Sequence, residues 1–184
     1  MLENPGKGSA ADPPAWWSPP RMVGGHVTGP VVIGRTDGVV VVARQVLAYP
    51  VGLEIEVEAH ARGAASPPGE GAPPGPVGFT GPARPAFRLR LPDGRDVVQD
   101  ETSGLRDGRG PSLVVSGSEG SWGGPEGGGD VRLTLWVRPL PPPGPLTLSC
   151  TWPERGLRHA ALVLDGDAVR AAALRARPFW AEKG

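Results

Sequence analysis

Four side chains at a spacing of two carry the clearest suggestion of chemistry in this sequence: Glu54, Glu56, Glu58 and His60. Carboxylates and an imidazole are ordinary ligands for a divalent cation. Alternation puts all four on one strand face with neighbours about 7 Å apart, so a metal would need further ligands from an adjacent strand. They read first as a charged outer face, and like charges along a strand discourage edge-to-edge pairing. The three histidines are His26, His60 and His159, and none has a partner at zinc or metalloprotease spacing. No cofactor is expected.

Other chemistries find weaker footing. Gly6-Lys-Gly8 lacks the spacing of a phosphate loop, and Gly127–Gly129 leads into a strand where that motif opens a helix. There is no G-x-S-x-G elbow, and Ser103 and Ser112 stand beside Gly and Pro with no histidine paired to them. Asp100-Glu101 could do acid–base work. With Asp96 and Asp107 they are the residues from which a loop-built carboxylate site would be assembled, although a Gly/Arg-rich loop makes plain surface the simpler reading. Cys150 is the sole cysteine, so no intramolecular disulfide can form, and its place on an apolar strand face reads as a buried thiol.

The best binding candidate is a surface. Trp136 points away from the apolar face of its strand, between Arg132, Thr134 and Arg138. An exposed Trp flanked by Arg is the composition of interface hot spots. Trp122, the large side chain of a glycine-rich stretch, joins Trp136, Arg132 and Arg138 as a protein-binding candidate. The competing reading covers Trp136 with the C-terminal helix or with Phe179-Trp180.

The elements that position these residues are strands. Val131–Arg138 and Leu146–Trp152 both alternate, with Val131, Leu133, Leu135 and Val137 on one side of the first and Leu146, Leu148, Cys150 and Trp152 on one side of the second. The proline-rich bridge between them, Pro139–Pro145, is too long for a tight hairpin. At about 3.1 Å per residue it spans roughly 20 Å, against a sheet separation of about 10 Å, so it can carry the chain from one sheet to the other. Further strands are expected at Pro30–Ile33, Val39–Leu47, Leu53–Arg62, Phe87–Leu91, Val97-Val98, Leu113–Val115 and Leu157–Leu164. Asp37-Gly38, Tyr49–Gly52 and Asp93-Gly94 mark turns. Asp165 or Asp167 can cap a helix over Ala168–Arg177, which Pro178 stops, with Phe179-Trp180 packing back on the body.

Composition bounds the rest. The 184 residues include 29 Gly and 24 Pro, more than a quarter of the chain, concentrated in a few stretches. One domain is expected over residues 21–180, with flexible loops at 63–85 and 116–130, a disordered or loosely docked arm over 1–20 that holds Trp16-Trp17, and a tail at 181–184. Zero formal charge argues against a nucleic-acid partner. No apolar run is long enough to span a membrane and no secretory signal is evident, so no membrane partner and a cytoplasmic location are expected.

Several stretches together carry a resemblance: Ala48-Tyr-Pro-Val-Gly-Leu53, Phe87 through Pro92-Asp-Gly-Arg95, Trp136-Val-Arg-Pro-Leu-Pro-Pro-Pro-Gly-Pro-Leu146, Cys150-Thr-Trp-Pro153, and Leu164-Asp-Gly166 with the Ala-rich helix. Over about Ile33–Trp180 the chain resembles an uncharacterised family of small β-rich proteins of high-GC Gram-positive bacteria (actinobacteria). The resemblance implies a related fold and a bacterial cytoplasmic origin, and it brings no site residue with it.

The expected fold is all-β, a two-layer antiparallel sandwich (immunoglobulin-like or jelly-roll-like) of roughly seven to nine strands with one short C-terminal helix. The expected function is a non-catalytic module binding another protein through the aromatic/Arg surface or its loops. The alternatives are an enzyme or ligand binder with the loop carboxylate site, and a homo-oligomer pairing through Val39–Val42.

Overall fold

A computed structural model describes residues 19–63, 84–99, 110–122 and 128–180. The chain forms an all-β sandwich of two antiparallel sheets with one short helix. Its strands are β1 (Met22–Val23), β2 (Gly25–Thr28), β3 (Val31–Arg35), β4 (Val39–Tyr49), β5 (Gly52–Ala61), β6 (Ala86–Arg90), β7 (Asp96–Val98), β8 (Ser112–Trp122), β9 (Gly129–Arg138), β10 (Pro145–Trp152), β11 (Leu157–Asp165) and β12 (Arg177–Pro178). The helix, α1, is Gly166–Ala173. One six-stranded sheet runs β2-β4-β5-β9-β8, with β3 beside β2 along the same edge of β4; a four-stranded sheet runs β11-β10-β6-β7. Strands exceed the expected number because the first edge strand is split into β2 and β3 at Gly29-Pro30, and β1 and β12 add a two-stranded ribbon.

The core follows from the alternation. Leu53, Ile55 and Val57 of β5 and Leu133 and Leu135 of β9 are buried, and from the facing sheet Leu89, Leu146, Leu148, Cys150 and Trp152 join the same cluster. The proline bridge leaves β9 in one sheet and delivers the chain to β10 in the other, as its length predicts.

Both pairs of facing sheet edges are drawn together. On one side β3 meets β11, where a Cβ at Gly34 would lie 2.4 Å from the Ala160 methyl, so only glycine lets the two edges approach. On the other, Gln99 bridges to Leu113 in parallel and bonds the Phe87 backbone through both its side chain and its amide.

Three local expectations need correction. The loop expected at 116–130 is shorter, because β8 continues to Trp122. Ser-Gly-Ser-Glu-Gly-Ser has no strand pattern of its own, and pairing with Asp130–Thr134 of β9 holds it extended across a bulge at Ser116. The helix begins as expected, with the Asp165 carboxylate accepting from the Asp167 amide at 2.9 Å, but it ends at Ala173, short of Arg177. Arg177–Pro178 instead pairs with Met22–Val23. Phe179 and Trp180 do not pack back on the body: they are 52% and 73% exposed.

Candidate functional site

The outer face of the six-stranded sheet holds the charged set. Glu54, Glu56, Glu58 and His60 of β5 lie opposite Trp136, Thr134, Arg132 and Asp130 of β9. Arg132 reaches Glu56 at 3.3 Å and Glu58 at 3.2 Å, and Arg44 reaches Glu58 at 3.4 Å. His60 lies 2.6 Å from Asp130 and 3.6 Å from Glu58. Cross-strand pairing thus answers Glu56 and Glu58 with cations, and among the described residues no group of three His, Cys, Asp or Glu is placed to hold a metal ion.

Glu54 differs from its neighbours. It sits between Leu47 and Trp136, and burial, followed by the nearby Glu56 charge, raises its carboxyl above the ordinary carboxylate range. A raised folded-state value makes the ionised form a liability: stability is full below the ordinary carboxylate pKa and falls as pH climbs through the raised one. Glu54→Gln is therefore expected to raise the denaturant midpoint at pH 7. The gain should vanish below about pH 4, which a pH series of unfolding curves checks.

Trp136 does lie on this outer face, but it is not exposed. Its relative exposure is 0%, and it forms a second small core with Tyr49 and Val114, packed against Leu47 and Met22. Tyr49 meets the indole edge-on at 5.7 Å and 72°. Gly52 makes the room, since a Cβ there would stand 2.5 Å from the indole Cη2. The Nε1 of Trp136 is buried without a hydrogen-bond partner. Neither the helix nor Phe179-Trp180 is the cover; Met22, Leu47, Tyr49 and Val114 are. Of the other binding candidates, Arg132 is engaged with glutamates and Arg138 is half-buried at the end of β9. The side chain of Trp122 lies outside the described residues, as do Trp16-Trp17 and the loop carboxylates Asp100, Glu101 and Asp107. Asp96, the remaining member of that set, accepts two bonds from Arg90 at 2.9 and 3.1 Å and one from Arg88 at 3.4 Å. The Arg90 hydrogen bond, then the two guanidinium charges, hold it below the ordinary carboxylate range, the wrong direction for a proton donor.

Cys150 is buried between the sheets, and burial pushes its thiol up to about 12. A thiolate is the reactive form, so a thiol reagent at pH 8 is expected to leave the native protein untouched and to label one cysteine per chain once denaturant unfolds it.

The exposed aromatic surface that the sequence suggests at Trp136 exists elsewhere. Phe179 and Trp180 follow β12 and stack edge-to-face with ring centres 5.7 Å apart while open to solvent. Val23, 58% exposed, stands opposite the exposed Arg177 across the terminal ribbon. The Phe-Trp dipeptide was visible in the sequence; what hid its exposure is the ribbon that stops the helix short.

The fold and these surfaces define an all-β two-layer sandwich with a single short helix. Compared with protein-family models, curated proteins and solved structures, the chain matches none of them. No helix among the described residues is long and apolar enough to cross a membrane.

Proposed function

We propose that this protein is a non-catalytic β-sandwich module that binds another protein through the aromatic and arginine surface at its terminal ribbon. The observation that carries this reading is the Phe179–Trp180 pair, 52% and 73% exposed and stacked at 5.7 Å. Two large aromatic rings in water are costly to keep there and are the residue types that anchor interfaces. Exposed Arg21, Arg175 and Arg177 lie in the flanking segments. The complementary partner surface is apolar at its centre and acidic at its rim. The same reading keeps the chain with the small actinobacterial β-rich proteins that its proline bridge resembles, and with a cytoplasmic location.

A photo-cross-linking residue placed at Trp180 tests this in cells of the source organism. A discrete adduct from position 180, absent when the same residue replaces Val163 on the four-stranded sheet and weakened by Arg177→Glu, supports the reading. No adduct, or the same adducts from both positions, overturns it.

A further inference from the structure

The outer face of the four-stranded sheet carries a second, unrelated feature. Short side chains run down β10, where Thr147, Ser149 and Thr151 face outward at spacings of about 7 Å. Longer groups rise on either side. Register places Arg90 beside Thr147 and Arg88 beside Ser149, with Asp96 and Val98 beyond them on β7. On the other side Val163 of β11 is opposite Thr147, and His159 belongs to a two-residue bulge formed by Arg158 and His159 opposite Thr151. The result is a groove of about 530 Å³ lined by Arg88, Arg90, Thr147, Ser149, Thr151 and His159, with Asp96 along one wall. That size lies within the range of small-molecule sites, about 300–1,000 Å³.

The donors in this groove are oriented but not used up. Among the described residues none of the three hydroxyls has a hydrogen-bond partner, nor has His159. Arg90 is held by a two-pronged bond to Asp96, whereas Arg88 touches that carboxylate with Nη1 alone at 3.4 Å. Arg88 thus lines the groove beside Ser149 with a single long contact to the carboxylate. Two guanidinium groups against one carboxylate leave the groove net positive. Asp96 acts as a brace that spreads the two arginines along the wall, and fixed guanidinium forks beside hydroxyl donors are the chemistry that recognises tetrahedral oxyanions.

We infer that this groove binds a phosphate or sulfate group, held by Arg88 together with Ser149, the hydroxyl opposite it in the register, with Thr147, Thr151 and His159 further along the groove. The groove is larger than a free oxyanion, and its remaining hydroxyl donors and acceptors suit a hydroxylated body such as a sugar. The site lies on the sheet face and does not depend on the aromatic surface of the terminal ribbon.

Titration of the full-length, ¹⁵N-labelled chain with inorganic phosphate, sulfate, glucose 6-phosphate and glucose, at constant ionic strength, tests this by amide chemical shifts. Saturable shifts confined to Arg88, Thr147–Thr151 and His159 are expected with the two ions. Arg88→Gln should weaken binding by about tenfold, the size of one lost charge-assisted hydrogen bond, and the double variant Ser149→Ala/Thr151→Ala should weaken it without removing charge. Arg132→Gln, on the opposite sheet, should change nothing. Tighter binding of glucose 6-phosphate than of inorganic phosphate, with glucose alone inert, assigns the site to a phosphorylated sugar; equal affinities assign it to the free ion. Absent or non-saturable shifts, or binding unchanged in Arg88→Gln with its melting temperature preserved, overturn the inference.

Discussion

Alanine at Gly25 is expected to lower the melting temperature by about 6–12 °C, because it drives a methyl group into the helix backbone. A Cβ built at Gly25 lies 1.8 Å from the carbonyl oxygen of Ala172. The obstacle is the main chain of α1 and no side chain can swing away from it. The helix is itself anchored: Val169, Ala172 and Ala173 are in the core, the Gly166 amide donates to the Gly144 carbonyl at 2.8 Å, and Arg175 donates to the His26 carbonyl at 2.9 Å. Relief therefore requires moving α1 or β2 as a unit. Overpacking typically costs about 1–3 kcal/mol; a methyl driven against main chain falls at the upper end, about 3 kcal/mol, and 1 kcal/mol corresponds to about 2–4 °C in a chain of this length. Gly38→Ala is the matched control, since the nearest atom to a Cβ there is the Arg62 carbonyl oxygen at 3.8 Å. Thermal unfolding of the two variants should differ by most of the predicted drop.

Trp136→Ala is expected to destabilise by about 3–5 kcal/mol, the range for emptying a buried aromatic site. Trp180→Ala should stay within about 0.5 kcal/mol of the parent, as surface substitutions do. Both tryptophans lie outside the main sandwich core, so the contrast isolates the second small core. Tyr49, Val114, Leu47 and Met22 close over Trp136, and removing the indole leaves them around a cavity. Trp136→Phe refines the expectation. It removes the buried Nε1–H that has no partner, so it should cost clearly less than the alanine variant. Urea unfolding of the three variants gives the comparison directly.

How far the fold was legible in the sequence depends on how local its cause is. The alternation of Leu53–Ala61, Val131–Val137 and Leu146–Trp152 is local, and each became a half-buried strand. The reach of the proline bridge is a property of its own residues, and it does cross between sheets. The cap at Asp165 is likewise local. The misplacements share the opposite character. Residues 116–122 have no period of their own and are held extended by β9. The helix stops early because Arg177–Pro178 finds Met22–Val23 far away in the chain. Alternation alone places Trp136 on the outer face, but its burial depends on Met22, Tyr49 and Val114 arriving from three other strands. Met22, an apolar residue in a mostly polar leader, and the Tyr49–Gly52 turn were the available signals.

The candidate surfaces divide the same way. In the Glu54–His60 row, pairing across strands sets Arg132 against Glu56 and Glu58 and His60 against Asp130, and leaves Glu54 beside Trp136. The groove on the four-stranded sheet combines Arg88 and Arg90 with Thr147, Ser149 and Thr151, which are distant in sequence and meet only through the β6–β10 register. The exposure of the Phe179–Trp180 pair goes with a helix that ends at Ala173 and a strand at Arg177–Pro178.

The solvent-facing aromatic pair follows the terminal ribbon while the tryptophan of β9 is sealed. Incorporation of 5-fluorotryptophan, with each fluorine resonance assigned by single Trp→Phe variants, measures this through the shift between H₂O and D₂O. A full solvent isotope shift is expected for Trp180 and none for Trp136 or Trp152. A shift at Trp136 as large as that at Trp180, or a shielded Trp180, would contradict it.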